Sequence, residues 1–278
     1  MTHPTRRPGR TYLAGAPLLV AHRGGSRLAP ENTLEAFRDA VERWEADMLE
    51  MDVRLTRDGE VVVIHDDTVD RTSNGTGPVA SFTLEELQRL DAGHRFTDVR
   101  GQASFRGRGV RIPRFEDLLL ALPHARMNVE AKEPRVAAPL VEIVRRHGAE
   151  ARVLVAAEHE RCRDAVRGYP GPWGASGTQV FWFWALHRLP GGGPYTPAAD
   201  ILQVPETWRG RAIVTEGFVR AAHARNLPVQ VWTVDDPSDM RRLLALGVDG
   251  VQTDRPDLLA RVLVEVAGRP APPGLASP

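Results

Sequence analysis

The chain has 278 residues, of which 42% are hydrophobic and 26% are charged, and its formal net charge is zero. These values are typical of a globular protein, and they exclude the strongly basic balance that nucleic-acid-binding proteins usually show. The single cysteine, Cys162, excludes an intrachain disulfide, and no apolar run indicates a signal peptide or a membrane span. We therefore expect a cytoplasmic protein with no nucleic-acid partner and no stable membrane insertion.

Short apolar runs rich in β-branched residues alternate with helical patterns, which is typical of parallel β/α folds. Residues 18–21 are predicted as the first strand and residues 48–53 as the second. Apolar residues at helical spacing predict a helix over 34–44, with Asn32 as its N-cap. Later strands are predicted at 127–130, 153–157, 174–180, 201–204, 229–233 and 250–253. Later helices are predicted at 84–90, 136–147, 161–167, 217–225, 238–246 and from Pro256 onward.

Eight strands with connecting helices in about 250 residues predict an α/β fold of the (β/α)8 TIM-barrel type. An open doubly wound sheet is the alternative, but the first strand is not followed by a Gly-rich phosphate loop. We expect one domain over residues 1–278. It carries an insertion after the second strand, at about residues 66–111, and a Pro/Gly-rich, flexible tail from residue 268.

A hairpin after the second strand is the most informative local feature. Asp58-Gly59 between two strand-like runs predicts a two-residue type I′ turn, which places Asp52 opposite His65. Because side chains repeat every second residue along a strand, Glu50 shares a face with Asp52. Local geometry therefore predicts that two carboxylates and a histidine converge at the C-terminal mouth of the barrel, where such barrels keep their chemistry.

The end of the next strand brings a third carboxylate, Glu130, to the same mouth. Three carboxylates as close as Glu50, Asp52 and Glu130 cannot all remain ionised without a cation. Oxygen ligands of this kind suit a hard divalent ion, so we expect one bound Mg²⁺ or Ca²⁺.

Other polar groups are predicted at the same strand ends. Histidine is the side chain that normally changes its charge near neutral pH, so His22 and His65 suit a general acid and base acting on a P–O bond. Arg23 offers a planar fork for phosphate oxygens, and Lys132, the only lysine among 36 Lys and Arg residues, offers a compact charge. Trp232 follows another strand to this mouth and is expected to contact the substrate.

The chain resembles the glycerophosphodiester phosphodiesterases over roughly residues 18–259. The matching motifs are His22-Arg23-Gly24, Pro30-Glu31-Asn32-Thr33, Glu50-Met51-Asp52-Val53, His65-Asp66, Glu130-Ala131-Lys132, Val231-Trp232-Thr233-Val234 and Gly250-Val251-Gln252-Thr253-Asp254. Individually some are short, but their order and spacing are specific.

The resemblance implies a TIM barrel with a small insertion after the second strand, and a metal-dependent enzyme that hydrolyses glycerophosphodiesters to an alcohol and glycerol 3-phosphate. It also implies a role for each polar residue named above. The implied acid/base pair is His22 and His65; the implied metal ligands are Glu50, Asp52 and Glu130; and the implied phosphate ligands are Arg23 and Lys132.

Departures from the family pattern concern the leaving-group side. Residues 156–159 read Ala-Ala-Glu-His where the family usually has a Ser-Phe pair, Asp235 stands where Asn is common, and residues 181–184 read Phe-Trp-Phe-Trp. One alternative is therefore a lysophospholipase D-type enzyme that acts on lysophospholipids. The other is a non-catalytic, phosphate-binding barrel, although that function predicts loss of site residues that are all present here.

Overall fold

A computed structural model describes residues 11–157, 159–189 and 193–276. The strands are β1 Leu18–Ala21, β2 Met48–Leu55, β3 Val61–Val63, β4 Met127–Ala131, β5 Val153–Ala156, β6 Leu202–Pro205, β7 Thr207–Trp208, β8 Arg211–Ala212, β9 Val229–Trp232 and β10 Gly250–Thr253. The helices are α1 Leu34–Glu42, α2 Leu84–Gln88, α3 Phe115–Ala121, α4 Pro134–Arg146, α5 Glu160–Asp164, α6 Gly177–Leu186, α7 Glu216–His223, α8 Pro237–Ala245, α9 Pro256–Ala267 and α10 Pro273–Ala276.

Seven parallel strands pair in the order β5-β4-β2-β1-β10-β9-β6, and β3 adds to β2 in the antiparallel direction. Two isolated parallel bridges, Val155 with Trp173 and Gly174 with Ile201, connect β5 to the start of β6. The short segment 173–174 thus takes the eighth place in the ring. The predicted (β/α)8 barrel is confirmed, and the carboxyl ends of its strands meet at one mouth.

The barrel strands are buried on both faces, which explains their nearly continuous apolar sequences. Every residue of β1 and β10 is buried. The outer helices cover the ring with one apolar face each. In α1, for example, Phe37 and Ala40 are fully buried. Polar residues interrupt the apolar pattern on β2 and β4, and also at Gln203 of β6, Gln230 of β9 and Gln252 of β10.

The predicted strand at residues 174–180 is wrong beyond residue 174. Helix α6 begins at Gly177 because Ser176 and Gln179 cap it reciprocally: Ser176 Oγ accepts from the Gln179 backbone N–H, and Gln179 Oε1 accepts from the Ser176 N–H. Val180, the last residue of the predicted strand, instead lies on this helix.

The N-cap of α1 is also one residue later than predicted. Thr33 Oγ1 accepts from the backbone N–H of Ala36 at 3.3 Å, so Thr33 is the cap. Asn32 instead has a positive φ of 58° and is buried, and its amide bonds to the carboxylate of Asp52 at 3.0 Å.

The hairpin register differs by one residue from the prediction. Leu55 pairs with Val61 and Val53 with Val63, so Ile64, not His65, follows as the residue opposite Asp52. The loop contains three residues rather than two, and Gly59 is its residue with positive φ, at 86°. A three-residue loop of this kind does not require positive φ at Asp58, as the predicted type I′ turn would.

Residues 66–111 contain α2. They contribute Val69, Val79 and Leu87 to a small apolar cluster that packs against β3. The C-terminal tail lies against the end of α1, where the Gly274 backbone N–H donates to the carbonyl of Arg43 at 2.8 Å. Its predicted flexibility and the single-domain organisation stay predictions, and residues 277–278 lie outside the described part. Among the described helices, none has the length and apolarity needed to span a membrane.

Candidate active site

A cavity of about 440 Å³ opens at the C-terminal mouth of the barrel. It contains all the residues that the sequence analysis selected. These are His22, Arg23, Glu50, Asp52, His65, Glu130, Lys132 and Trp232. The structure thus brings together side chains that lie far apart in the sequence, the first being His22 and the last Trp232, 210 positions later.

Three carboxylates line one part of this cavity, and two of them, Glu50 and Asp52, are buried. Glu50 and Asp52 lie on one face of β2, and Glu130 is the register partner of Asp52 on β4. One oxygen of each lies within 4.8 Å of the others. Burial, and after it the charge of Asp52, raises the pKa of Glu50 to about 8. This set of oxygen donors fits a hard divalent cation.

Lys132 compensates part of that charge. Its Nζ lies 2.9 Å from Asp52 Oδ1 and 3.0 Å from Glu130 Oε2. Burial alone would raise the pKa of Asp52, but the charges of Lys132 and Arg23 outweigh burial and lower it. Burial alone would likewise lower the pKa of Lys132, but the two carboxylates raise it, so the ammonium stays charged.

His22 directly follows β1, and its imidazole is oriented by Asp254, which directly follows β10. Its Nδ1 lies 2.6 Å from Asp254 Oδ1, and its Nε2 lies 3.9 Å from Glu50 Oε2. A carboxylate accepts, so Nδ1 carries the proton and Nε2 faces the cavity. Burial would lower the pKa of the imidazole, but the charges of Glu50 and Asp254 raise it overall.

His65 reaches the cavity although β3 ends at Val63. The chain leaves the sheet there, and Arg54 Nε donates to the His65 carbonyl at 2.8 Å, which holds the backbone. His65 Nδ1 lies 2.7 Å from Asp66 Oδ1. Both histidines of the cavity therefore hold Nδ1 against an aspartate.

Arg23 lies in a tight turn directly after β1, with a positive φ of 51°. Its backbone N–H donates to Glu50 Oε2 at 3.0 Å, and its Nη1 donates to Glu31 Oε1 at 3.0 Å. The turn packs closely on α1: a Cβ added to Gly24 would lie 2.7 Å from that of Ala36. Glycine at 24 is therefore needed for this position of the guanidinium.

An ion-pair network from the insertion joins the two sides of the site. Arg71 donates to both oxygens of Asp66, the partner of His65. It also donates to both oxygens of Glu31, the partner of Arg23. Burial raises the pKa of Glu31, but its bonds to Arg71 and Arg23 outweigh this and lower it.

Three of these supporting residues were not selected from the sequence as site residues. Asp254 directly follows the barrel strand β10, a position that could have indicated its role. Asn32 was interpreted as a helix cap, and its contact with Asp52 is visible only in three dimensions. Arg71 lies in a polar loop where no local pattern distinguishes it from other arginines.

The opposite end of the cavity is apolar. Phe181 and Trp184 of α6 and Trp208 of β7 form an aromatic wall, with ring centroids 6.1–6.3 Å apart. Trp232 also lines the cavity and is 42% exposed. The cavity thus combines a charged end with an aromatic one. Glu158, in the stretch where the family pattern is broken, lies outside the described residues.

The chain is similar to known proteins along most of its length. The glycerophosphoryl diester phosphodiesterase family model matches residues 22–161 and 192–258. A glycerophosphodiester phosphodiesterase from Caldanaerobacter subterraneus is 34% identical over 88% of this chain and 97% of its own. A probable glycerophosphodiester phosphodiesterase from Mycobacterium tuberculosis is 36% identical over 90% and 92%. A solved structure of the Agrobacterium tumefaciens enzyme, 29% identical, covers 88% of this chain and 99% of its own, with a TM-score of 0.71.

Proposed function

This chain belongs to the glycerophosphoryl diester phosphodiesterase family, and on that premise we propose that it hydrolyses glycerophosphodiesters to an alcohol and glycerol 3-phosphate. The observation that carries the proposal is the pair of histidines, His22 and His65. Each is held at Nδ1 by an aspartate and lies in the cavity that contains the carboxylates and Lys132.

His22 and His65 act in this proposal as general acid and general base. One Nε2 accepts the proton of the oxygen that attacks phosphorus, and the other gives a proton to the alcohol oxygen as its bond to phosphorus breaks. Asp254 and Asp66 hold the tautomer that each task needs, and they stabilise the imidazolium that forms.

Glu50, Asp52 and Glu130 would hold one divalent cation, Mg²⁺ or Ca²⁺. Such an ion, when bound, supplies positive charge to the phosphoryl oxygens. Two observations support this assignment: the closeness of the three carboxylates and the raised pKa of Glu50. A bound cation would offset the repulsion between the carboxylates and would favour the ionised form of Glu50.

Lys132 and Arg23 bind the phosphate in this proposal, and Trp232 contacts the substrate beside it. An ammonium has three donors, and two of those on Lys132 are directed at Asp52 and Glu130. The third remains for a phosphate oxygen. Arg23 is held in place by Glu31, so little freedom is lost when its guanidinium meets an anion.

The direct experiment is hydrolysis of glycerophosphocholine by the purified protein, followed by enzymatic detection of glycerol 3-phosphate. We expect turnover that a chelator abolishes and that Mg²⁺ or Ca²⁺ restores, while a phosphomonoester such as glycerol 3-phosphate is not hydrolysed. Calorimetric titration with each ion should show binding that Glu130→Gln weakens. Glycerophosphocholine binding without product would instead support the non-catalytic barrel.

A further inference from the structure

The aromatic wall, Phe181, Trp184 and Trp208, is a built feature and not a set of isolated surface residues. Phe181 contacts both tryptophans, and Trp184 contacts Trp208 with ring centroids 6.1 Å apart. Trp184 Nε1 donates to the Ala212 carbonyl at 3.4 Å, which fixes that ring against the β7–β8 hairpin. All three rings line the same cavity as the catalytic histidines.

Helix α6 is apolar on its outward side as well as toward the barrel. Val180 and Phe183 are buried in the core, whereas Phe181 and Trp182 remain 42% and 48% exposed. A helix that is apolar all round is normally buried, and exposed aromatic surface at a cavity mouth marks a place where an apolar ligand binds. The cavity volume of about 440 Å³ is also that of a site for a drug-sized molecule. A glycerophosphate group alone is smaller.

The charges beside the wall disfavour a cationic ligand there. The guanidinium of Arg209 lies 4.8 Å from the centre of the Trp208 ring and takes one of its faces, and Arg211 is exposed on the same hairpin. The carboxylates among the described residues that line the cavity are Glu50, Asp52 and Glu130, and all three lie at its charged end, away from the wall. An uncharged chain is the chemistry that fits.

We propose that the aromatic wall binds an apolar chain of the substrate, so that the preferred substrates are monoacylated glycerophosphodiesters. The inference rests on the proposed function and adds the substrate class. In the reaction the P–O bond to the head-group alcohol breaks, and the elements of water are added across it. The proton goes to that alcohol, and the other product is an acylated glycerol phosphate.

The first test is a chain-length series. The wild-type protein is assayed with glycerophosphocholine and its monoacyl derivatives of four, six and eight carbons, all below their micelle-forming concentrations. The head group is constant, so differences report the chain. We expect kcat/KM to rise at least about tenfold from four to eight carbons, since burying each methylene is worth up to about fourfold. A flat series overturns the inference.

Variants test whether the wall is the site. Phe181→Ala and Trp208→Ala alter residues that are each 42% exposed, and the double variant should keep its fold, as checked by circular dichroism. We expect the ratio of kcat/KM for the eight-carbon to the four-carbon substrate to fall to near one. Leu120→Ala, on exposed Leu120 of α3, is the matched control and should keep the wild-type ratio. An unchanged ratio in the double variant contradicts the assignment.

A binding experiment separates this inference from the proposed function. Octyl phosphate below its micelle-forming concentration is titrated into the protein while tryptophan fluorescence is recorded. We expect saturable binding that the double variant weakens at least tenfold and Leu120→Ala does not. Failure of all hydrolysis with this binding intact rejects the proposed function and supports the apolar site. Hydrolysis of glycerophosphocholine without such binding rejects the apolar site alone.

Discussion

Arg71 and Glu31 are joined by two hydrogen bonds, of 2.6 Å from Nη1 to Oε2 and 2.8 Å from Nη2 to Oε1. The same guanidinium holds Asp66, and Asp66 orients His65. One residue of the insertion therefore positions a proposed acid/base group and, through Glu31, the proposed phosphate ligand Arg23.

Arg71→Gln should lower kcat/KM by about tenfold or more, because small misplacements of catalytic groups are costly. Arg71→Lys should recover only part of this, since an ammonium cannot make both paired contacts. Steady-state kinetics of both variants check the prediction. Arg89→Gln is the control, because Arg89 pairs with Glu85 on the exposed surface of α2. Wild-type kinetics in Arg71→Gln would show that the network is not needed.

His22→Ala and His65→Ala should each reduce kcat by about 10²-fold or more, the usual cost of losing a general acid or base. Each histidine keeps Nε2 toward the cavity, so removing either removes one of the two proton transfers. Turnover is measured at saturating substrate and cation. His124→Ala, at an exposed position, should behave as wild type. Near-wild-type kcat in either site variant would contradict its assignment.

Lys132→Arg should fold normally and lose about 10²-fold in activity, the scale of an ångström misplacement. The Lys132 ammonium lies within 3.0 Å of oxygens of Asp52 and Glu130, so a longer planar group must displace one of them or the phosphate. The control is Arg146→Lys, the reverse exchange at an exposed position of α4 that does not line the cavity, and it should keep wild-type activity. Equal activity of Lys132→Arg and wild type would make Lys132 a bystander.

The stability of the metal-free protein should fall as pH rises from about 4.5 to about 8. The pKa of Glu50 is raised to about 8, against about 4.3 in an unfolded chain. Between these values the folded protein holds a proton that the unfolded chain has released, so the free energy of unfolding decreases with pH.

Urea denaturation at several pH values measures this decrease. It should be smaller in Glu50→Gln, which cannot ionise there, and a saturating divalent cation should stabilise the wild type most at the upper end of the range. Identical slopes for the wild type and Glu50→Gln would contradict the assigned pKa.

The barrel and most of the site could be predicted from sequence because their signals are local. β1 and β5 are short apolar runs, and the alternation along β2 alone places Glu50 and Asp52 on one face. The strand at 174–180 was wrong because the periodicity of so short a stretch does not separate a strand from the start of a helix. The capping pair Ser176 and Gln179 was the available signal.

The hairpin register failed for a different reason. Asp58-Gly59 suits a two-residue turn, but the side chain of Asp58 is engaged elsewhere. It accepts from Thr56 Oγ1 at 2.6 Å and from the backbone N–H of Leu84 at 3.1 Å, at the start of α2. That second contact comes from the insertion, 26 positions away. His65 still reaches the cavity because the chain leaves the sheet before it.

The ring of strands is least continuous at segment 173–174, where single bridges replace ladders. The charged end of the cavity depends on β1, β2, β4 and β10, on the other side of the ring, whereas the aromatic wall belongs to α6 and β7, which follow that segment. We therefore expect that the part of the chain between β5 and β9 can change without displacing the residues of the charged end. Among relatives, we expect this stretch to diverge fastest, and exchanging it between two of them should transfer substrate preference while catalysis is retained.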